Sequence, residues 1–296
     1  MIEVIDKKNL KLDNGIFIKP DHLIHPTISG NKFRKLKYNL FEAKRQNKKS
    51  LLTFGGAYSN HIAAVAGAGK EFGFSTIGII RGEEVLDKID SNPTLRYAQD
   101  CGMVFKFVER EKYREKSSIP FLSELKEEFG DFYLLPEGGT NELAIKGCEE
   151  ILTEADSDFD YICCSIGTGG TISGIINSSQ PNQKIIGFPA LKGNFLREEI
   201  AKFATKNNWA LMTDYHFGGY AKINLELISF INEFKAKYHI PLDPIYTGKL
   251  MYGIFDLMQK GYFPKGSKIL AIHTGGLQGI EGMNLVLKQK NLPLIV

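Results

Sequence analysis

The stretch Tyr161-Ile-Cys-Cys-Ser-Ile-Gly-Thr-Gly-Gly-Thr171 joins an uncharged apolar run to a glycine-rich turn. Residues 161–166 predict a buried strand, because strands of a parallel sheet are covered on both faces. The turn at 167–171 opens a helical segment, so its backbone N–H groups and the helix dipole can hold a phosphate. The stretch therefore predicts an α/β fold with a phosphate-binding turn; the alternative is an ordinary strand-to-helix connection.

This turn does not match the common nucleotide motifs. Ile172 stands where the dinucleotide fingerprint needs its third glycine, and the Gly-Lys-Ser/Thr ending of a nucleoside-triphosphate loop is absent from the turn. The turn is therefore predicted to bind a phosphate outside these two nucleotide-binding motifs.

The alternation of short apolar runs and longer amphipathic stretches continues on both sides. Strands are predicted at residues 50–54, 75–81, 103–108, 132–135, 184–188 and 268–273. Helices are predicted over residues 59–72, 92–102, 118–130 and 141–155. The pattern predicts a three-layer α/β architecture. The charged stretch 109–116 is either a linker or a surface loop.

Composition narrows the class of function. The 37 Lys and Arg nearly balance the 34 Asp and Glu, so the chain has no overall basic field for nucleic acid and a small-molecule partner is expected. No apolar stretch approaches the length of a membrane span, and we expect a cytoplasmic protein. The four cysteines predict neither a disulfide framework nor a metal site, and Cys163 and Cys164 are interpreted as strand packing.

Three loops rich in Gly, Ser and Thr follow predicted strands, at residues 55–61, 165–171 and 273–276. In parallel sheets, ligands bind where loops leave the carboxyl ends of strands. Lys32 lies in a basic patch and, taken alone, is typical of a solvated surface residue. Combined with a phosphate turn and the Ser59-Asn60 pair, however, it supplies the parts that an aldehyde cofactor needs.

Together these segments resemble the fold-type II, tryptophan-synthase-β-like pyridoxal-phosphate enzymes, and within them the aminocyclopropane-carboxylate deaminase and D-cysteine desulfhydrase family. The similarity spans the chain and follows the family's order. Its segments are Gly30-Asn-Lys-Phe-Arg-Lys-Leu36, Gly55-Gly-Ala-Tyr-Ser-Asn60, Pro136-Glu-Gly-Gly-Thr140, Asp243-Pro-Ile-Tyr-Thr-Gly-Lys249 and His273-Thr-Gly-Gly276.

The resemblance implies roles for individual residues. Lys32 would hold pyridoxal 5'-phosphate through an imine and, once displaced, move the substrate's α-proton. Asn60 would hydrogen-bond the cofactor's phenolic oxygen, and Ser59 with neighbouring N–H groups would hold the substrate carboxylate. Tyr220 and Tyr246 would flank the substrate. The phosphate cradle would be Gly167, Thr168, Gly169, Gly170 and Thr171.

Simpler interpretations exist for two of these assignments. Tyrosines beside glycines are more often packing residues, and Ser59 could only cap the helix that follows it. The family analogy also implies a homodimer with two domains around a cofactor cleft. The larger, pyridoxal-phosphate-binding domain would comprise residues 1–40 and 147–296, with the N-terminal segment crossing back, and the smaller domain residues 41–146.

The subtype prediction depends on the group near the pyridine nitrogen. This chain has Tyr246-Thr-Gly-Lys249 at the position where the deaminases of the family resemble the pattern Tyr-Glu-Gly-Lys. The acidic residue is missing here, so the hydroxyls of Thr247 and Thr274 are the candidate partners of the pyridine nitrogen. A neutral hydroxyl holds a pyridinium proton less firmly than a carboxylate, which favours expulsion of a good leaving group such as thiolate. We therefore expect β-elimination from D-cysteine, giving pyruvate, ammonia and sulfide.

Three alternatives stay open from the sequence. The first is an aminocyclopropane-carboxylate deaminase, and the second is a non-catalytic relative that keeps the fold and the cofactor. The third is an unrelated phosphate-sugar or nucleotide binder that uses only residues 167–171.

Overall fold

In the computed structural model, which describes residues 4, 6–28, 30–193 and 195–296, the strands form two sheets. The strands are β1 (Leu10–Lys11), β2 (Ile16–Lys19), β3 (Ser50–Gly55), β4 (Ser75–Arg81), β5 (Met103–Val108), β6 (Tyr133–Leu135), β7 (Tyr161–Ile166), β8 (Lys184–Pro189), β9 (Trp209–Leu211) and β10 (Ile269–Ile272).

Helices lie between these strands in the chain, as an α/β fold requires. They are α1 (Asn31–Arg45), α2 (Asn60–Phe72), α3 (Pro93–Asp100), α4 (Arg110–Arg114), α5 (Ile119–Phe129), α6 (Glu142–Glu149), α7 (Gly170–Ser178), α8 (Phe195–Ala201), α9 (Leu225–Tyr238), α10 (Thr247–Gln259) and α11 (Gly279–Gln289). No helix among the described residues has both the length and the hydropathy of a membrane span.

The smaller sheet has the strand order β5-β4-β3-β6, and all its strands are parallel. Residues of α1, α2 and α3 pack on one face, and α5 covers the other. The predicted bounds of β4 and β5 are confirmed. The charged stretch 109–116 contains α4, whose Tyr113 is buried against Phe54 at 6.3 Å between ring centroids, so this stretch packs on the sheet and is not a free linker.

The larger sheet has the order β1-β2-β10-β7-β8-β9. Its strands are parallel except β1, which runs antiparallel to β2. α7 and α8 cover one face and α9, α10 and α11 the other, which gives the predicted three layers. The buried strand 161–166 is confirmed, with Cys163 and Cys164 fully buried in it. The domain boundaries near residues 40 and 146 stay a prediction.

The helix predicted over residues 141–155 is too long. α6 ends at Glu149, and a separate turn, Glu154–Asp156, follows. The carboxylate of Asp156 accepts hydrogen bonds from the N–H and hydroxyl of Thr153, and the buried Lys19 Nζ donates to it at 2.6 Å. This ion pair joins the turn to β2, which is 137 residues away in the chain. A local sequence pattern cannot predict such a distant contact, so it could not predict the end of the helix.

Candidate active site

A cavity of about 650 Å³ lies where the carboxyl ends of strands from both sheets meet. The loops after β3, β7 and β10 all contribute to its wall, so the three loops selected from the sequence converge on one site. The volume falls in the range of small-molecule sites. Within the described ranges, no cluster of His, Cys, Asp and Glu could hold a metal ion.

Lys32 lies on the cavity wall, in the first turn of α1. Gly30, with a φ of +50°, precedes this helix, and a Cβ there would lie 2.1 Å from the Thr274 carbonyl oxygen. The close approach fixes the start of α1 against the loop after β10. Burial, and then the charge of Lys35, lower the pKa of the Lys32 amine to about 7. A substantial fraction of this amine is therefore unprotonated at neutral pH.

Lys35 is a second cation in the cavity wall, and sequence reasoning missed it. Its side chain is 2% exposed, and its Nζ donates to the Gly138 carbonyl and the Thr140 hydroxyl, both at 3.0 Å. In the part of the chain that the structure describes, no carboxylate pairs with Lys32 or Lys35. Their three-residue spacing, which places both side chains on one face of a helix, was the available signal.

The glycine turn faces the same two lysines. Gly169, at a φ of +88°, precedes α7, and the Thr168 hydroxyl shares a 2.7 Å hydrogen bond with Thr140. A Cβ on Gly170 would lie 2.8 Å from the Thr140 hydroxyl and 3.1 Å from Lys35 Nζ, so a side chain at position 170 would displace these two groups. Gly167, Thr168, Gly169 and Thr171 line the cavity, whereas Gly170, which was also predicted to contact the phosphate, is not among the lining residues. The N–H groups at the start of α7 and the Lys35 amine are therefore the groups that could together bind a dianion.

The loop after β3 brings Ser59 and Asn60 to the cavity. The Ser59 hydroxyl oxygen caps α2, accepting from the N–H groups of His61 and Ile62 at 3.2 and 3.3 Å, and its proton stays available for donation. The capping interpretation is therefore correct for Ser59, without excluding a carboxylate contact. The Asn60 carbonyl accepts from Gln278 Nε2 at 2.9 Å, which leaves the amide nitrogen as the donor end.

His61 is a further cavity residue whose role the sequence did not reveal. The ring is 2% exposed, and neither nitrogen has a hydrogen-bond partner among the described residues. Burial, followed by the charges of Lys32 and Lys35, holds its pKa well below the usual range, so the ring is neutral. A Cβ on Gly139 would lie 2.7 Å from this ring, and glycine is therefore required there.

Tyr220 and Tyr246 line the cavity as an edge-on pair, with 6.3 Å between their ring centroids. Tyr246 packs against the glycine turn, because a Cβ on Gly167 would lie 3.3 Å from its hydroxyl. Burial raises the pKa of the Tyr246 hydroxyl, so this tyrosine stays a neutral donor. The structure thus brings both predicted tyrosines to the site.

The two predicted threonines are placed differently. Thr274 lines the cavity, with its hydroxyl 3.4 Å from that of Ser165, a cavity residue that sequence reasoning missed. Thr247 is buried and is not among the lining residues. Its hydroxyl donates to the Asp243 carboxylate at 2.7 Å and accepts from the Asp243 N–H at 2.8 Å. Of the two threonines, the geometry favours Thr274 as the group that meets a ligand.

Two mostly parallel sheets, a cavity at the carboxyl ends of their strands and a low-pKa lysine beside a glycine turn are typical of an α/β enzyme that binds a phosphorylated ligand. A sequence model described as pyridoxal-phosphate dependent enzyme matches residues 3–275. The chain belongs to this family, and pyridoxal phosphate is its cofactor.

Several relatives support the assignment along most of the chain. A Pyrococcus horikoshii protein provisionally named 1-aminocyclopropane-1-carboxylate deaminase is 32% identical and covers 94% of this chain and 89% of its own. An Arabidopsis thaliana protein named bifunctional D-cysteine desulfhydrase/1-aminocyclopropane-1-carboxylate deaminase, mitochondrial, is 30% identical over 91% of this chain and 74% of its own. The family resemblance stated from the sequence is confirmed.

Solved structures agree on the fold. A structure described as a homologue of ACC deaminase superposes with a TM-score of 0.78 at 28% identity, covering 93% of this chain and 88% of its own. A hydrogen sulfide-producing enzyme from Fusobacterium nucleatum gives a TM-score of 0.64 at 17% identity, over 92% and 95% of the two chains, and shares the fold.

The residues present fit the cofactor. Lys32 and Lys35 are two cavity amines without a carboxylate partner in the described ranges, which is unfavourable unless an anion joins them. Lys35 lines the cavity together with Gly167, Thr168, Gly169 and Thr171, so its amine and the N–H groups at the start of α7 could bind a phosphate there. Asn60 also lines the cavity, and its amide nitrogen lies beside Gly276, where a Cβ would come within 2.7 Å of that nitrogen and displace the Asn60 side chain.

Proposed function

We propose that the protein is a pyridoxal-phosphate-dependent lyase that removes a β-substituent from a small amino acid, with D-cysteine as substrate and pyruvate, ammonia and sulfide as products. The observation that carries the proposal is the Lys32 amine, with its pKa lowered to about 7, at the wall of a cavity that also holds the phosphate cradle. An amine in this state can both attack an aldehyde and transfer a proton at neutral pH.

The cofactor would be anchored at its two ends. Lys35 and the turn 167–171 would bind the phosphate, and Asn60, oriented by Gln278, would donate to the phenolic oxygen. Thr274, with Ser165 beside it, would face the pyridine nitrogen. When bound, pyridoxal phosphate supplies the electron sink that stabilises negative charge at the substrate's α-carbon.

The substrate carboxylate would be held by the loop after β3. No hydrogen bond engages the N–H of Ala57 or Tyr58 within the described parts of the chain, and the Ser59 hydroxyl proton is available beside them. Three donors at one end of the substrate would fix its α-carbon relative to Lys32. Tyr220 and Tyr246 would flank the side chain.

A threonine hydroxyl, rather than a carboxylate, facing the pyridine nitrogen of the cofactor would favour elimination of the β-substituent. Thr274 is neutral, and Glu137, a carboxylate on the cavity wall, is engaged by the Tyr113 hydroxyl at 2.9 Å and Lys116 at 3.3 Å. A weakly protonated ring stabilises carbanions less, so a leaving group that departs readily is favoured. Thiolate meets this requirement, with a thiol pKa of about 8.5.

Ring opening of 1-aminocyclopropane-1-carboxylate is the second candidate activity, because relatives that cover most of the chain carry that name. A non-catalytic relative is disfavoured, since Lys32, Ser59 and Asn60 all line one open cavity.

The test combines colour with product analysis. Purified protein with pyridoxal phosphate should show a visible absorption band that Lys32→Ala removes and Lys44→Ala, an exposed lysine in the same helix, retains. Sulfide and pyruvate should appear from D-cysteine. Release of α-ketobutyrate from 1-aminocyclopropane-1-carboxylate without sulfide from D-cysteine would establish the second candidate, and a band that survives Lys32→Ala would refute the assignment of the lysine.

We further propose a cytoplasmic homodimer with the domain division given by the resemblance, residues 1–40 plus 147–296 and residues 41–146. Light scattering of the purified holoenzyme tests the oligomeric state. A monomeric mass at micromolar concentration would contradict it.

A further inference from the structure

Arg81 is the last residue of β4, and its side chain reaches the exposed side of the cavity. Its Nη2 lies 3.5 Å from the position that a Cβ on Gly56 would occupy, so it borders the loop assigned to the substrate carboxylate. The guanidinium stacks over the Tyr113 ring at 5.7 Å from the centroid, which orients it without neutralising it.

The charge of Arg81 is not compensated by any carboxylate among the residues that the structure describes. No carboxylate pairs with it, and it donates no hydrogen bond to any residue in the described ranges. Glu137, on the same cavity wall, is already engaged by Tyr113 and Lys116. Two more cations at this cavity, Lys222 and Lys290, also lack a partner among the described residues, and both are exposed. The mouth of the cavity is therefore positively charged.

The other anions of the proposed reaction already have donors. The cofactor phosphate has Lys35 and the turn 167–171, and the substrate's α-carboxylate has the N–H groups of Ala57 and Tyr58 with the Ser59 hydroxyl. Arg81 belongs to neither set. A planar guanidinium at a cavity mouth is suited to a further carboxylate.

We propose that Arg81 binds an acidic group on the substrate's side chain, so that the preferred substrates are cysteine-like amino acids whose sulfur carries a carboxylate. The inference rests on the proposed lyase function and specifies its substrate class. In the reaction, the Cβ–S bond breaks, the sulfur leaves with the bonding electrons and gains a proton, and the remaining fragment takes up water to give pyruvate and ammonia. No oxidant or reductant is needed.

Matched acid and amide ligands test the proposal. The D- and L-enantiomers of glutamate and glutamine, which have no leaving group at the β-carbon, are titrated into the holoenzyme. Binding is followed from the change in the visible absorption band. We expect the acid to bind about tenfold more tightly than the amide, as one charge-assisted hydrogen-bonded contact at a partly exposed site would give. The preference should shrink in 0.5 M salt, because exposed charges are screened.

Variants assign the preference to Arg81. Arg81→Gln should lower the acid-to-amide ratio to about one, and Arg81→Lys should restore part of it. Arg110→Gln is the matched control, because Arg110 is exposed, pairs with Glu84 and lies outside the cavity lining. Turnover of S-carboxymethyl-D-cysteine against S-carboxamidomethyl-D-cysteine should follow the same order.

The outcomes separate this inference from the proposed function. Equal affinity for acid and amide in the unaltered enzyme, or an equal loss of both in Arg81→Gln, would overturn the role of Arg81 while leaving the lyase assignment intact. A visible band that no amino acid perturbs would refute the proposed function, and the inference would fall with it.

Discussion

At the scale of single residues, the candidate site is marked by two buried or cavity-facing lysines of α1. Lys32 and Lys35 face the cavity without a carboxylate in the described parts of the chain, whereas the neighbouring Arg34 is held by Asp21 through bonds of 2.6 to 3.0 Å. The sequence shows three basic residues in one segment and cannot distinguish their partners, because Asp21 lies in another element. Lys32 was selected by family resemblance and its role stays a prediction, whereas Lys35 was not selected.

The pKa of Lys32 predicts how capture of an aldehyde depends on pH. Only the free amine attacks, so the rate at which apoprotein reacts with pyridoxal should rise with pH and reach half its maximum near pH 7. Lys35→Met removes a positive charge that disfavours the Lys32 ammonium, so the midpoint should move to higher pH. Pyridoxal is used because it has no phosphate group, so weaker phosphate binding in Lys35→Met does not affect the comparison. The rate is measured from the growth of the visible absorption band.

Lys44→Met provides the control for this measurement, since Lys44 is exposed and remote from the cavity lining. A midpoint near the usual lysine pKa of about 10.4 in the unaltered apoprotein would contradict the prediction.

At the scale of elements, the bounds of β4, β5 and β7 were predicted to the residue, and those of β3, β6, β8 and β10 to within one residue at each end; β1, β2 and β9 were not predicted. β7 has six buried residues in a row, which no helix period explains. β2 is Ile-Phe-Ile-Lys, too short and too mixed to stand out, and it becomes a strand because β10 pairs with it and Asp156 neutralises Lys19. The start of α1 likewise depends on a distant partner, the backbone of Thr274 beside Gly30.

Gly30 therefore offers a test of how α1 is positioned. Gly30→Ala would place a Cβ 2.1 Å from the Thr274 carbonyl oxygen at a φ of +50°, and we expect a loss of about 3 kcal/mol or more in the free energy of unfolding, together with loss of the visible band. Gly73→Ala also has a positive φ but no atom within 4 Å, and should cost about 1 kcal/mol. Urea unfolding measures both, and equal losses would refute the steric argument.

At the scale of the whole molecule, the cavity joins loops from both sheets. Asn60 follows a strand of the smaller sheet, while the glycine turn and Thr274 follow strands of the larger one. A ligand that contacts all three stabilises the arrangement as a unit, since it binds only when both sheets are folded. The convergence was predicted from strand-end loops, whereas the cavity's charge distribution required the packed structure.

Cofactor binding should therefore raise the stability of the entire chain. At a concentration of pyridoxal phosphate 100 times its dissociation constant, linkage predicts a gain of about 2.7 kcal/mol. We expect a higher melting temperature and slower amide hydrogen exchange in both β3 and β7. Inorganic phosphate at the same concentration should give a smaller shift, and protection confined to one sheet would show that the cofactor does not bridge them.

The parallel pairing of β2 with β10 also affects the order in which the two sheets fold while the chain is being synthesised. The smaller sheet draws all its strands from one continuous stretch, so it can assemble as soon as that stretch leaves the ribosome. The larger sheet needs β2 beside β10, more than 240 residues later in the chain. β2 must therefore wait, unpaired on that edge, until β10 has been synthesised. The Thr274 backbone beside Gly30 follows β10 in the chain, so the start of α1, which carries Lys32, is fixed only after that delay.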